Sequence, residues 1–322
     1  MADSLTLLLP SRLDELEQAA DRVRAYLRNT RAPATYRAYA SDWRDFKGWC
    51  EHCLRSALPA QPDSVMLYLG HLGGAGKQMS TITRKLAAIA QVHRLAGFES
   101  PTEHRGVREV TAGMRRTHGV ASHGKEALLT EDLRAIMRSF GSSLRDVRDR
   151  ALLLIGFAGA FRRSELVALE VSDLRFVADG LVCEIQRSKS DQEGQGREIA
   201  IPVGSRTETC PVAALRTWLA QSEIQSGPLF RSISRHCHLG AKALTPTAVA
   251  LVIKQRVVAA GLDPALYAGH SLRAGFATSA ALGGAPEWAI MKQTGHRSRA
   301  TLDRYVRPAG RFRNNPVSYT GI

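Results

Sequence analysis

The sequence predicts a mainly α-helical, α+β protein, in which an all-helical N-terminal domain precedes a mostly helical C-terminal domain with a small antiparallel β-sheet. Three observations support this fold class. Apolar residues recur at helical spacing through most of the chain. Only residues 171–203 change to short strand-like runs with a turn between them. The 322 residues are also long for a single core and sufficient for two domains.

The first third of the chain is predicted to form five helices. Pro33 suits the first position of a helix, and glycines at 73, 74, 76 and 97 interrupt the helical pattern. Apolar residues recur at helical spacing between these breaks. The helices are therefore expected at about 11–27, 33–54, 62–72, 80–95 and 103–116.

A polar, glycine-containing and aperiodic stretch follows. Residues 118–128 are predicted to link a domain of residues 1–117 to a domain of residues 129–322. Thr130 is predicted to be the N-cap of the first helix after this linker. The second domain is expected to contain a buried helix near 152–159, strands near 171–177, 181–186 and 198–203, and helices near 211–222, 246–260, 271–282, 286–293 and 299–306.

The charge balance indicates a polyanionic partner. The chain has 44 Lys and Arg against 30 Asp and Glu, a formal net charge of +14. The excess begins in residues 77–125, which carry 9 basic and 3 acidic residues. Such an excess favours nucleic acid, with a membrane surface as the alternative. No apolar run approaches the roughly 18 residues of a spanning helix, so no membrane partner is expected.

The cysteine content and the sequence of the N-terminus predict the cellular compartment of the protein. Five scattered cysteines, an odd number, suit reduced thiols in a cytoplasm. The clusters Cys50–Cys53 and His236–His238 lack a second half at zinc-finger spacing, so neither a metal nor a cofactor is expected. The N-terminus lacks the basic region and cleavage site of a signal peptide. A cytoplasmic, nucleoid-associated protein is therefore predicted.

Four short motifs in the second half carry candidate catalytic side chains. Cleavage of a phosphodiester needs an activated nucleophile, cations for the extra charge of the pentacoordinate phosphate, and a proton for the leaving oxygen. Two arginines, two histidines, a lysine and a tyrosine can supply all three. Each residue alone is weak evidence, and their joint occurrence carries the prediction. The motifs are Arg162-Arg-Ser-Glu165, Lys189, His270-Ser-Leu-Arg273, and Gly295-His296 with Tyr305 nine residues later.

In this order and at these spacings the motifs resemble those of the tyrosine recombinase (phage integrase) family, and the resemblance covers nearly the whole chain. It implies a core-binding N-terminal domain and a catalytic C-terminal domain. It also implies that Tyr305 is the nucleophile, which forms a 3′-phosphotyrosine and frees a 5′-hydroxyl, and that Lys189 is the general acid. Tyr267 and Tyr319 are rival nucleophiles, but only Tyr305 follows Gly-His at the family spacing.

The same resemblance assigns the remaining site residues. Arg162 and Arg273 are implied to clamp the scissile phosphate. His270 is implied to assist proton transfer at the nucleophile, and His296 to donate to the phosphate. Glu165 is implied to orient the site. The sequence departs from the family at positions 160–161, where it has Ala-Phe in place of Gly-Leu, a change expected to affect packing.

Ten further residues are candidate DNA contacts. Basic and short polar residues near helix N-termini suit phosphate and groove contacts. For the last four, the resemblance implies a helix that reads a groove. The alternative is that these side chains form solvated surfaces or pack the domain. The candidates are Arg37, Thr83, Arg84, Lys85, Arg115, Arg116, Thr245, Thr247, Lys254 and Arg256.

The resemblance predicts a site-specific recombinase for integration, excision or resolution. Two protomers are expected to bind an inverted-repeat core site in double-stranded DNA. Two such sites then form a homotetramer and exchange strands through a Holliday junction, with accessory proteins as possible partners. The alternatives are a type IB topoisomerase and a non-catalytic DNA-binding regulator on the same fold.

Overall fold

The computed structural model divides the chain into two compact units, Met1–His123 and Gly124–Ile322. For residues 12–14, 24–28 and 33 it describes the backbone alone. The residues that the structure describes are 12–28, 30, 32–119, 125–186, 196–296, 298–300, 302–303, 305, 317 and 320.

Five α-helices form the described part of the N-terminal unit. Prolines occupy the first positions of the second and third helices, where the missing N–H has no intrahelical partner to lose. Apolar side chains from the last four helices form one core, in which the rings of Phe46 and Tyr68 pack edge to face at 5.0 Å. The helices are α1 (Arg12–Arg28), α2 (Pro33–His52), α3 (Pro62–Gly74), α4 (Met79–Leu95) and α5 (Arg105–His118).

A cluster of charged side chains joins α2 to α4. The carboxylate of Asp42, which is 3% exposed, accepts two hydrogen bonds from Arg84 at 2.7 and 3.1 Å. Lys85 Nζ lies 2.6 Å from Asp45 Oδ2 and 3.6 Å from Asp42 Oδ1, and Lys85 is 8% exposed. The ammonium of Lys85 therefore pairs with two carboxylates inside the domain, and its contact with DNA stays a prediction.

The C-terminal unit is mostly helical and contains two small antiparallel sheets among its described residues. The first sheet has the order β1-β2-β3, with the strands β1 (Leu174–Val177), β2 (Gly180–Ile185) and β3 (Arg197–Pro202). The second pairs β4 (Arg231–Ile233) with β5 (Leu239–Ala243). The helices are α6 (Thr130–Arg138), α7 (Leu144–Ala158), α8 (Arg163–Ala168), α9 (Pro211–Ser222), α10 (Pro246–Ala259), α11 (Ser271–Leu282) and α12 (Glu287–Thr294).

These elements confirm the predicted fold class. The sequence does not predict the β4–β5 pair, because strands of three and five residues with no buried position show no apolar alternation. The core of the unit surrounds α7, whose residues Leu152–Ile155 are all at most 2% exposed. Trp218 from α9 is fully buried against this core, and its indole N–H donates to Leu229 O at 2.9 Å.

The start of α6 differs from the prediction. Leu129, not Thr130, is the N-cap, and its backbone N–H donates to Asp132 Oδ2 at 3.0 Å. An aspartate at the third helical position satisfies this N–H, so the threonine hydroxyl is not required as a cap. Thr130 instead is the first helical residue, and its N–H donates to Ser279 Oγ at 3.2 Å.

The end of the predicted linker also packs into the C-terminal unit. The N–H groups of Glu126 and Leu128 donate to Leu266 O and Ser271 O, and Leu128 is fully buried. Gly275 of α11 permits this contact, because a Cβ there would lie 1.8 Å from Leu128 O. The described residues 125–128 therefore belong to the folded unit, and the functional division of the chain stays a prediction.

No helix within the described ranges is both long enough and apolar enough to cross a membrane.

Candidate active site

The C-terminal unit brings the predicted site residues together from separate elements. Arg162 precedes α8, His270 and Arg273 lie at the start of α11, and His296 follows α12. Tyr305 is helical and packs beside the small apolar cluster of Ala277, Ile290 and Leu302. Packing of α11 against α7 and α12 brings these positions together. The predicted general acid, Lys189, lies outside the described residues.

Glu165 connects two arginines. Its Oε1 accepts from Arg162 Nη1 at 2.6 Å, and its Oε2 accepts from the Arg162 backbone N–H at 2.9 Å and from Arg197 Nη2 at 3.3 Å. Glu165 is 3% exposed, so its charge is compensated only by these partners and the backbone. The bond to the N–H also closes the first turn of α8. Glu165 therefore sets the position of Arg162 from within the fold.

Arg273 is a buried cation whose donors are mostly unused. It is 1% exposed, and its Nη1 donates to Ala160 O at 2.7 Å. Its Nε and Nη2 are buried and have no hydrogen-bond partner among the described residues. Burial, with Arg162 nearby, lowers the pKa of Arg273 to about 10. Two buried donor nitrogens without partners on one cation favour an anion at this position.

The backbone at Ala160 helps to orient Arg273. Ala160 has φ 49°, a left-handed conformation that is uncommon for a residue with a Cβ, and its carbonyl accepts from the guanidinium. Glycine, the residue that the family resemblance leads us to expect here, adopts such a φ without strain. The departure noted in the sequence thus falls on the backbone that holds Arg273.

Tyr305 is hydrogen-bonded to a histidine. Its Oη lies 2.6 Å from His270 Nε2. Burial lowers the pKa of His270, and the cations of Arg273, Arg162 and Arg163 add to the effect. A neutral ring at neutral pH can accept the phenolic proton at Nε2. The pair therefore has the geometry of a nucleophile with its general base.

His296 stacks on the ring of the same tyrosine. The rings of His296 and Tyr305 are 5.8 Å apart with an interplanar angle of 19°. Thr294 Oγ1 donates to Ile290 O at 2.7 Å and lies 2.8 Å from His296 Nδ1. Because the hydroxyl has one proton, His296 Nδ1 must donate to it, which leaves Nε2 as an acceptor while the ring is neutral.

Burial and nearby cations lower the pKa of His296 to about 4, the cations being those of Arg273, Arg162 and Arg197, together with His270. In the unfolded chain a histidine has a pKa of about 6.5. Between this pKa and the folded pKa of about 4, the unfolded chain binds the proton and the folded chain does not. Folding stability therefore falls as the pH drops through this window, by at most about 1.4 kcal/mol per pH unit from this residue.

We expect His296→Phe to flatten the acid slope of stability between pH 6.5 and 4, because phenylalanine keeps the stacked ring and removes the titrating group. Denaturant unfolding across this range measures the slope. Replacement of the exposed His52 by glutamine is the control. An unchanged slope in His296→Phe would show that the acid sensitivity has another origin.

One basic residue at the site is not predicted from the sequence. Arg197 begins β3, and its guanidinium reaches both Glu165 and Gln293 O. The only signal for it is a basic residue at the start of a strand whose buried positions alternate. Burial lowers its pKa.

The rival nucleophile Tyr267 is buried and hydrogen-bonded to Asp132. It is 5% exposed, and its hydroxyl donates to Asp132 Oδ2 at 3.4 Å. The other rival, Tyr319, lies outside the described residues. Within the described ranges no three His, Cys, Asp or Glu side chains form a group that could hold a metal ion.

The candidate DNA contacts fall into two groups. Most are exposed on helices, and Thr245 is the N-cap of α10, where its hydroxyl accepts from Ala248 N–H at 3.1 Å. Arg256 differs, because it pairs with Asp146 at 2.7 Å and with Asp149 at 2.6 Å. The charge of Arg256 is therefore neutralised within the unit, and its contact with DNA stays a prediction. The exposed candidates are Arg37, Thr83, Arg84, Arg115, Arg116, Thr245, Thr247 and Lys254.

Comparison with known proteins identifies the family of this chain. Residues 126–311 match the phage integrase family, and residues 21–99 match the phage integrase N-terminal SAM-like domain. The chain is 38% identical to an integrase/recombinase XerD homologue of Selenomonas ruminantium over 98% of this chain and 94% of that protein. It is 24% identical to the Cre recombinase of Escherichia phage P1, over 85% of this chain and 83% of that one.

A solved structure shows the same fold. The Tn1549 transposon integrase in complex with transposon right end DNA superimposes with a TM-score of 0.63 at 14% identity, covering 89% of this chain and 92% of that one. The chain therefore belongs to the phage integrase family. It is an enzyme of the tyrosine recombinase class.

Proposed function

We propose that this recombinase breaks and rejoins DNA at specific sites through a 3′-phosphotyrosine formed at Tyr305. The observation that carries the proposal is the 2.6 Å contact between Tyr305 Oη and His270 Nε2, beside a buried arginine with two unused donors. A nucleophile, its base and a cationic anion site are thus adjacent.

The chemistry divides among these residues. His270 takes the phenolic proton as Tyr305 Oη attacks the phosphorus, and the bond to the 5′-oxygen breaks. Arg162 and Arg273 hold the non-bridging oxygens. Lys189 is proposed to protonate the leaving 5′-oxygen. The reverse attack by a 5′-hydroxyl of the partner strand restores the phosphodiester and frees the tyrosine.

His296 is proposed to become a donor only when DNA is bound. Its neutral ring keeps the proton on Nδ1 for Thr294, so Nε2 has none to give. A phosphate at Arg273 would favour the protonated ring, because its negative charge offsets the nearby cations. His296 can then donate from Nε2 to the phosphate.

Double-stranded DNA is the proposed substrate, which also implies action at the nucleoid. The net charge of +14 and the exposed cations on α4, α5 and α10 support this partner. Phosphate contacts are proposed for Arg37, Arg84, Arg115 and Arg116. Thr83, Thr245, Thr247 and Lys254 are proposed to contact a groove or its adjacent phosphates.

A homotetramer, with a dimer on each inverted-repeat site and a Holliday junction as intermediate, is the proposed assembly. We propose that an apolar cavity of about 470 Å³ in the C-terminal unit receives part of a second copy of the chain, because apolar surface of this kind marks interaction sites. Phe157, Phe276 and Ile290 line it, and Val203 lies at its edge with 56% of its surface exposed.

Placing a charge at this edge tests the assembly. We expect Val203→Glu to keep cleavage near the wild-type rate and to weaken synapsis of two sites by about tenfold or more, because a carboxylate is costly in an apolar contact. Light scattering of the protein on DNA measures the oligomer. Val177→Glu, on β1 and outside the cavity lining, is the matched control. Equal synapsis by both variants would contradict a contact at this cavity.

The first experiment is covalent capture. The protein is incubated without added metal on nicked duplexes tiled from the DNA that flanks its gene, and the product is denatured. An adduct that survives denaturant, linked to the 3′ side of one defined position, supports the proposal. Specific binding without an adduct would favour the non-catalytic regulator. Adducts without sequence preference, with relaxation of supercoils by a monomer, would favour the topoisomerase.

A further inference from the structure

Arg197 links two parts of the candidate site that no other described side chain links directly. Its Nη2 donates to Glu165 Oε2 at 3.3 Å, and its Nη1 donates to Gln293 O at 3.1 Å. Glu165 in turn holds Arg162 at 2.6 Å. The side chain of Arg197 is 20% exposed, so the contacts are mostly shielded from water.

The second contact is at the turn that carries His296. Gln293 lies in the last turn of α12, where carbonyls lack helical partners and a cation is favourable. Gly295 ends the helix with φ 64°, and His296 follows it. A Cβ on Gly295 would lie 2.5 Å from Arg197 Nη1, so the guanidinium packs directly against this turn.

The amide of Gln293 strengthens the same junction. Its Nε2 donates to Ala158 O at 2.9 Å and to Ala200 O at 3.2 Å. These bonds tie α12 to the end of α7 and to β3. Arg197 therefore acts where α8, β3 and α12 meet, and it lies two positions after the segment 187–195 that contains Lys189.

We infer that Arg197 is a positioning residue for strand cleavage, which holds Arg162 through Glu165 with one nitrogen and the His296 turn with the other. The inference rests on the proposed function. A lysine has a single ammonium group and cannot span both acceptors in the same way. Without Arg197, the side chain of Arg162 and the turn that carries His296 can move independently, although both residues are still present.

The expected effect is kinetic. Groups that orient the reacting residues typically change rates by about 10- to 100-fold when removed. We expect Arg197→Ala to cleave about 30- to 100-fold more slowly than wild type with DNA binding within about twofold. Arg197→Lys should fall between the two. Millimolar guanidinium, a small molecule with the same donors, should partly restore Arg197→Ala.

The matched control is Arg175→Ala. Arg175 lies on β1 of the same sheet and pairs with Glu198 at 3.0 Å, with both side chains more than 60% exposed. Its loss should leave cleavage and guanidinium dependence unchanged, since exposed pairs contribute little. Cleavage is measured as a single-turnover rate on the nicked duplex, and folding by thermal melting.

A second readout does not depend on catalysis. The charged groups that face His296 are Arg162, Arg197, Arg273 and His270. In Arg197→Ala the ring of His296, followed by NMR without DNA, should titrate at a higher pH than in wild type, because one of these cations is gone. Arg197→Lys and Arg175→Ala should titrate as wild type does.

The outcomes separate the inference from the proposed function. If wild type forms no adduct, the proposed function fails, and the NMR titration still tests whether Arg197 lies against the His296 turn. If wild type forms the adduct, full-rate cleavage by Arg197→Ala or by Arg197→Lys overturns the bridge. A slow Arg197→Ala variant that melts normally and responds to guanidinium supports it. Should Arg197→Ala not fold, Arg197→Lys decides alone.

Discussion

Replacing Tyr305 with phenylalanine should abolish the covalent protein–DNA adduct and leave DNA binding within about twofold. The substitution removes only the hydroxyl that His270 contacts at 2.6 Å, and the ring can still stack on His296. Loss of a nucleophile lowers rates by about 10⁴-fold or more, because no neighbouring group replaces it. Denaturing gels detect the adduct, and mobility shifts on the same duplex measure binding.

Tyr267→Phe is the control for this prediction. Tyr267 is buried and bonded to Asp132, so its variant should form adduct at close to the wild-type rate. Persistence of the adduct in Tyr305→Phe would contradict the assignment. In that case peptide mapping of the adduct identifies the true nucleophile, with Tyr319 as the remaining rival.

Replacing Arg273 with methionine should reduce cleavage by about 10³-fold and raise the free energy of unfolding by about 1 kcal/mol. The loss of cleavage and the gain in stability have the same cause. Arg273 is a buried cation with Nε and Nη2 unpartnered, a costly arrangement in the free protein that suits a bound phosphate. Methionine fills a similar volume without charge, although Ala160 O loses its donor.

Arg148→Met is the contrasting control, because Arg148 is a buried arginine with satisfied donors. It is 5% exposed, donates twice to Asp149 Oδ1 at 2.9 and 2.6 Å, and donates to Arg231 O. Its loss should destabilise the fold by about 2 kcal/mol or more. Denaturant unfolding measures both variants. A destabilised Arg273→Met would show that Arg273 is a structural residue and not a strained binding group.

Local patterns in the sequence predict most of the helices and, apart from Arg197, the candidate residues that the structure brings together at the site. Helical periodicity depends on neighbours three and four positions apart, so α2 to α5 and α9 to α12 agree with the prediction to within about two residues. The start of α6 was misplaced, because Asp132 competes with Thr130 for the capping role. The β4–β5 pair lacked any local signal.

Whether a basic side chain is free to contact DNA could not be predicted in the same way. Lys85 and Arg256 are basic residues in helices and suit DNA contact by sequence alone. In the fold, Lys85 pairs with Asp45 at a separation of 40 positions, and Arg256 pairs with Asp149 at a separation of 107. Such pairs depend on which helix faces pack together. A one-dimensional pattern contains no information about that choice.

The sequence by itself determined the fold class, the family resemblance and the side chains proposed for catalysis, because each depends on residue identity and short-range spacing. Only the tertiary structure decided that Arg273 is buried with unused donors, that Thr294 fixes the proton on His296, and that Arg197 belongs to the site. These properties depend on burial and on directional hydrogen bonds between distant segments. Packing creates both, and it brings segments together whatever their separation along the chain.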